Sequence, residues 1–358
     1  MGRVRQFLAV AVSFGALNIS AALAQDNDLA QKIRDSFAQG TLKGLHSVLI
    51  LHRGETLAEV YFTGFDQRQG LDIGRVDHSQ TSLHDVRSIT KSVTGLLYGI
   101  ALSEGLVPGL DEPLMAQFPD YPDLIADPAR KDILVRHALT MTMGLEWDET
   151  APYTSTRNSE IAMAYAPDRE RYALEQPVLY SPGTHWTYSG GAASLVGALI
   201  VRGTGVPLDV YAKQKLFDPL GITDFEWQKL SNGKTGASSG LRLTTHDLAK
   251  IGRLMIDKGI WQGNQIVQAE WIEQSLTPSI ETSLNLRYGF LWWLADDGTP
   301  PDWFAGFGNG GQRLTVNPDR DMVVVIYAGN YNKPDAWKVP TKVILDFAVP
   351  TIEARQAN

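Results

Sequence analysis

The stretch VRSITKSVTGLLYGIAL, from Val86 to Leu102, places a single lysine at the head of an otherwise apolar run. An ammonium carried into a buried helix is costly unless it is paired or neutralised. Lys91 therefore needs either a packing reason or a chemical one. Ser88-Ile89-Thr90-Lys91 fits the pattern S-x-x-K, Asp85 stands where it can cap, and TGLLYGIAL continues a helix. Helical spacing puts Ser88 and Lys91 on one side. The helix N-terminus favours negative charge, and burial drives a lysine toward its neutral, proton-accepting form. The reading is a serine activated by the lysine one turn further on. Four residues are a short pattern, and Ser231-Asn232-Gly233-Lys234 matches it too, but in a Gly-rich loop with no helix behind it.

The 358 residues are 44% apolar and 20% charged, an ordinary globular balance that excludes disorder as the default. A formal net charge of -8 and the lack of any basic block argue against a nucleic-acid partner. The first residues, MGRVRQ followed by FLAVAVSFGALNISAALA, have the parts of a secretory signal with cleavage after Ala24. The expectation is a signal peptide over 1–24 and one domain over 25–358, periplasmic or secreted and free of the membrane after cleavage. With no cysteine, the chain can form no disulfide even in an oxidising compartment.

LHSVLILHRGETLAEVYFTG reads as two strands, Ser47 to His52 and Leu57 to Thr63, about a turn at Arg53-Gly54-Glu55. Far downstream, QRLTVNPDRDMVVVIYAG repeats the arrangement, with strands at Gln312 to Val316 and Met322 to Ala328 flanking Asn317-Pro318-Asp319-Arg320. Between the hairpins, IAMAYA, GAASLVGALIVRGTG, PLDVYAKQKLF and THDLAKIGRLMIDKG read as helices. Strands from both ends with helices between predict an α+β fold. One antiparallel sheet, built from about 45–65 and 285–330, carries a mainly helical insertion.

In SPGTHWTYSGGAASLVGALI, Tyr188 precedes an apolar helix. A serine-lysine pair followed about a hundred residues later by such a tyrosine resembles the β-lactamase-related serine hydrolases. These comprise class C β-lactamases, D-alanyl-D-alanine carboxypeptidases, and esterases and 6-aminohexanoate-dimer hydrolases. The stations LHSVLILHRGETLAEVYF, HDVRSITKSVTGLLYGIA, RHALTMTMGLEWDE, GLRLTTHDLAKIGRLM and YGFLWW carry the resemblance over nearly the whole mature chain. It implies an antiparallel sheet flanked by helices beside a helical region, with the cleft between them. It implies Ser88 as nucleophile, with Lys91 and Tyr188 moving its proton. The third motif of that family, K-T-G or H-x-G on a strand, is matched by Gly308-Asn309-Gly310-Gly311 leading into the last hairpin. The literal Lys234-Thr235-Gly236 is passed over because its flanks are loop-like. The amides of Ser88 and Gly311 are then expected to form the oxyanion hole. Gly308, Asn309, Gly310, Trp186 and Trp292 are expected to bind substrate, with Tyr288 and Trp293 as further cleft walls or core.

Two departures bear on substrate. Gly190 stands where β-lactamases and carboxypeptidases have asparagine, and Gly308 replaces the Lys or His of the third motif. Those groups hold the amide and carboxylate of a β-lactam or peptidyl-D-alanine. An ester or simple amide is therefore the expected small-molecule substrate, with weak β-lactamase or carboxypeptidase activity as one alternative and a non-catalytic binder of cell-wall fragments as another. Gly236-Ala237-Ser238-Ser239-Gly240 matches G-x-S-x-G without the strand that a nucleophile elbow needs. His84 and His185 flank the two motifs, with structural roles expected. The histidines lack H-E-x-x-H or close pairing in sequence, so no metal and no cofactor are expected.

Overall fold

The computed structural model describes residues 28–296 and 298–357, so the leader expected over 1–24 lies outside the described residues. The first hairpin joins β1 (Leu45–His52) to β2 (Glu55–Tyr61). Its two loop residues, Arg53 and Gly54, both have positive φ, 52° and 77°, matching the right-handed twist of the flanking strands. An unforeseen second hairpin follows at once: β3 (Thr63–Arg68) and β4 (Leu71–Asp77). It has no alternating apolar pattern to betray it, since every residue of β4 is at least partly exposed.

The short β5 (His84–Asp85) then leads into α1 (Ile89–Ser103), which is buried from Ile89 to Ala101. Helix α2 (Gly190–Thr204) begins with the Ser189 hydroxyl accepting from the Ala192 N–H at 3.0 Å and ends at Gly205 with φ 69°. β6 (Glu226–Trp227) and β7 (Leu241–Leu243) pair with β5 to make a small sheet in the order β5-β7-β6. Helix α3 (Thr245–Ile256) is capped by Thr244, whose hydroxyl accepts from the Asp247 N–H at 3.1 Å.

The C-terminal strands are β8 (Ile280–Glu281), β9 (Arg287–Tyr288), β10 (Trp293–Leu294), β11 (Phe304–Gly308), β12 (Gln312–Asn317) and β13 (Met322–Ala328). With β1 and β2 they form one antiparallel sheet in the order β8-β9-β10-β11-β12-β13-β1-β2. The expected sheet from the two ends of the chain is thus present, closed by β1 against β13 in a register running from Leu45↔Ala328 to His52↔Met322.

Strand alternation divides the core between the two faces of this sheet. Val48 and Ile50 of β1, with Val324 and Ile326 of β13, join Leu29, Ile33, Ile344 and Ile352 from the terminal segments. Leu49, Val323 and Val325 face the opposite cluster, which contains the apolar residues of α1, α2 and α3. The start of α1 meets this second face beside β11, which decides where the chemistry sits.

Candidate active site

Ser88 is the first residue of the turn entering α1, and Arg87 before it has φ 52°. A non-glycine residue in this region costs about 1–2 kcal/mol. Surrounding contacts hold it: the Arg87 guanidinium lies 4.6 Å from the Tyr331 ring centre and donates to Gln67 Oε1 at 2.6 Å. Asp85 does not cap the helix as expected. Its Oδ1 instead accepts from the Gln69 N–H at 3.0 Å and from Arg242 at 2.9 Å, tying the preceding strand to its surroundings.

Lys91, 1% exposed, donates from Nζ to Ser88 Oγ at 3.1 Å and to the Ser238 carbonyl at 3.0 Å. The Tyr188 hydroxyl is in hydrogen-bonding reach of both Ser88 and Lys91, and Nζ lies 4.9 Å from the Tyr188 ring centre. The three expected catalytic residues therefore converge. Ser238, from the rejected G-x-S-x-G stretch, enters through its carbonyl, and its hydroxyl donates to Glu160 Oε1 at 2.6 Å.

The protonation of Lys91 differs from the sequence expectation. Burial works to depress its pKa, but the Tyr188 oxygen and the Glu160 and Glu149 carboxylates outweigh it and hold it above the ordinary lysine range. Tyr188 is raised as well, chiefly by burial, with Lys91 opposing.

Glu149 and Glu160 were not singled out from the sequence, although Glu149 ends the station RHALTMTMGLEWDE. Glu149 Oε1 accepts from Trp147 Nε1 at 2.7 Å and from the Gly190 N–H at 2.5 Å, and Oε2 from the Tyr153 hydroxyl at 2.7 Å. Burial, then the Glu160 charge, push its carboxyl up to about 7. A Cβ on Gly190 would sit 2.6 Å from the Glu160 carboxyl carbon, closer than any real contact. The space an asparagine side chain would need is filled by an acid.

Strand β11 runs beside the nucleophile. A Cβ on Gly306 would lie 2.9 Å from Ile89 Cγ2, and one on Gly308 would lie 2.6 Å from the Val86 carbonyl oxygen. The Ala295 N–H to Trp303 carbonyl bond of 3.0 Å and the Trp293↔Ala305 pairing fix the alternation of β11. Odd-numbered amides face β10, and that of Phe307 lies past the last paired residue. Gly311 does not serve as expected: its N–H bonds to the Gly308 carbonyl at 3.3 Å, and its surroundings are Ala328, Ala336 and Pro340.

Asn309 and Gly310 are likewise committed elsewhere. Asn309 exchanges two 2.8 Å bonds with Asn332, and the Gly310 carbonyl accepts from the Asn330 N–H at 3.0 Å. Trp186 packs 6.0 Å from Tyr188, 5.6 Å from Tyr288 and 5.4 Å from Trp293 between ring centres, an aromatic wall beside the tyrosine. Trp292 is a correction: placed just before β10, its ring is fully buried edge-on against Phe304 at 5.5 Å, inside the core. His185 stacks on Tyr180 at 3.9 Å, and Lys234 and Thr235 are taken up by Glu170 and Asp209.

Comparison with known proteins agrees with this geometry. The family described as Beta-lactamase matches residues 29–346. The 6-aminohexanoate-dimer hydrolase of Paenarthrobacter ureafaciens is 22% identical over 323 residues, 83% of this chain and 74% of that enzyme. Esterase EstB of Burkholderia gladioli is 24% identical over 222 residues, 60% of this chain and 53% of that one. The structure of EstCE1, a hydrolase with promiscuous acyltransferase activity, superposes with a TM-score of 0.69 at 16% identity, covering 89% of this chain and 99% of its own. A match over most of its length, on a sheet assembled from both ends of the sequence, makes this chain a member of the beta-lactamase family.

Proposed function

We propose that the chain is an exported serine hydrolase that cleaves an ester or simple amide through an acyl-enzyme. The observation that carries this reading is the 3.1 Å approach of Lys91 Nζ to Ser88 Oγ with the Tyr188 hydroxyl in reach of both. Export rests on the leader pattern of residues 1–24.

Ser88 Oγ attacks the carbonyl carbon while its proton passes to the Lys91–Tyr188 pair. The pair titrates as a unit, and its reactive form carries one proton fewer than the resting form. The amides of Ser88 and Phe307 receive the oxyanion, the latter in place of Gly311. Collapse expels the alcohol or amine, which takes the proton from the pair. Water then attacks the acyl-enzyme, yields its proton to the same groups, and Ser88 is released with the acid.

The missing cation at Gly308, and the Glu149 and Glu160 carboxylates acting on Lys91, disfavour a substrate that presents its own carboxylate at this point. Hence esters rank ahead of β-lactams and D-alanyl-D-alanine peptides. A fluorophosphonate followed by intact-mass analysis is expected to add one adduct to the wild type and none to Ser88→Ala. In parallel, short-chain esters are expected to turn over faster than nitrocefin or a D-Ala-D-Ala peptide. Wild type left unlabelled favours a non-catalytic binder, and nitrocefin turnover equal to the ester rate overturns the substrate order.

A further inference from the structure

Four side chains far apart in sequence gather beside the strand that leads into Ser88. His46 lies on β1, Asp66 on β3, His84 on β5, and His78 just past β4. One ligand-type atom from each lies within 4.8 Å of all the others. The sequence expectation that the histidines do not pair is thus corrected: spacings of this kind follow no motif, because the β3–β4 hairpin and β5 bring them together. His46, Asp66 and His84 are 1%, 3% and 1% exposed. His78 stacks on His46 at 4.3 Å, and its Nε2 is buried without a hydrogen-bond partner.

Hydrogen bonds within the protein leave this cluster incompletely partnered. His46 Nδ1 faces His84 Nε2 at 2.9 Å, with Asp66 Oδ1 3.8 Å from the first and 3.3 Å from the second. The other His84 nitrogen, Nδ1, lies 3.1 Å from the Asp85 carbonyl, which only accepts. A neutral imidazole has one N–H. With His84 giving its proton to the carbonyl, His46 Nδ1–H closes the 2.9 Å contact, and His78 Nε2 is left without a partner beside the Asp66 carboxylate. Imidazole nitrogens and a carboxylate oxygen thus converge on one small volume.

We propose that His46, Asp66, His78 and His84 form a four-coordinate site for a divalent transition-metal ion, zinc by preference. Three imidazole nitrogens and one carboxylate oxygen suit zinc in type and number. Bonds of about 2.0–2.2 Å place tetrahedral ligand atoms about 3.3–3.6 Å apart, and the observed separations of 2.9, 3.3 and 3.8 Å straddle that spacing. The outer partners are in place: the Tyr331 hydroxyl donates to Asp66 Oδ1 at 2.6 Å, and the Asp85 carbonyl orients His84. All four positions come from protein, the mark of a structural ion. It rivets β1 and the poorly buried β3–β4 hairpin to the segment that presents Ser88.

The test uses the full chain, stripped with a chelator and then titrated with zinc sulfate. Inductively coupled plasma mass spectrometry after desalting is expected to find one zinc per chain, and thermal unfolding is expected to shift upward relative to the stripped protein. His78→Ala, at a partly exposed position, is expected to keep the wild-type circular dichroism spectrum while losing the bound zinc. Tyr331→Phe is expected to bind it about 10–100-fold more weakly. Cobalt titration of the stripped wild type reads the same site without a variant, through the intense visible bands of a tetrahedral ion. Zinc content equal in wild type and His78→Ala, an unmoved unfolding temperature, or no cobalt band overturns the proposal.

Discussion

Glu149 illustrates how a single half-buried carboxyl leaves a signature in solution. Its folded pKa of about 7 lies above the ordinary 4.5, so the native state keeps a proton that the unfolded chain releases across that interval. The contribution is therefore present at acid pH and is lost as pH rises toward 7 and beyond. Urea unfolding at pH 5 and pH 8 is expected to lose more stability between the two in the wild type than in Glu149→Gln; equal losses contradict the assigned shift. At this scale the nearness of Ser88 to Lys91 was legible from their spacing of one helical turn, and that of Tyr188 only through the family resemblance. Glu149, Glu160 and the His46 cluster were not, because distant segments deliver them and nothing in their local spacing marks the encounter.

Among the elements, α2 and β11 set the shape of the site. The N-terminus of α2 carries Gly190 where a side chain would strike Glu160. Gly190→Asn restores the residue of β-lactamases and carboxypeptidases but overpacks this corner, at a cost of about 1–3 kcal/mol. A lowered unfolding temperature with no gain in nitrocefin turnover is the expected result; a stable variant with new β-lactamase activity contradicts it. The terminal hairpins were readable from their alternation and turn residues. The β3–β4 hairpin was not, since a strand pair exposed on both faces carries no hydrophobic period. Nor did the glycine-rich loop disclose which amides of β11 are left unpaired: that depends on the pairing phase of β11 against β10, a property of the sheet and not of the loop.

Over the whole molecule, two apolar layers lie on either face of one sheet, and the chemistry belongs to only one of them. Ile326, fully buried in the layer remote from Ser88, separates stability from catalysis. Ile326→Ala is expected to cost about 2–5 kcal/mol of unfolding free energy while leaving the ester kcat of the folded fraction unchanged. A fall in kcat under conditions where the variant is fully folded would tie the two layers together. The fold class was legible at this scale because apolar strands at both ends of a helical sequence have few places to go except beside each other.

The union of β1 with β13 has a consequence for biosynthesis. Leu45 finds its partner at Ala328, so a ribosome must make nearly the entire polypeptide before the first strand is covered on that side. Until then the nascent chain bears a bare, strongly apolar edge, and the energetic gain of closing so long a loop arrives late. Such a polypeptide stays open along that edge while it is being synthesised, which makes holding factors, more than local helix formation, the guardians of its yield.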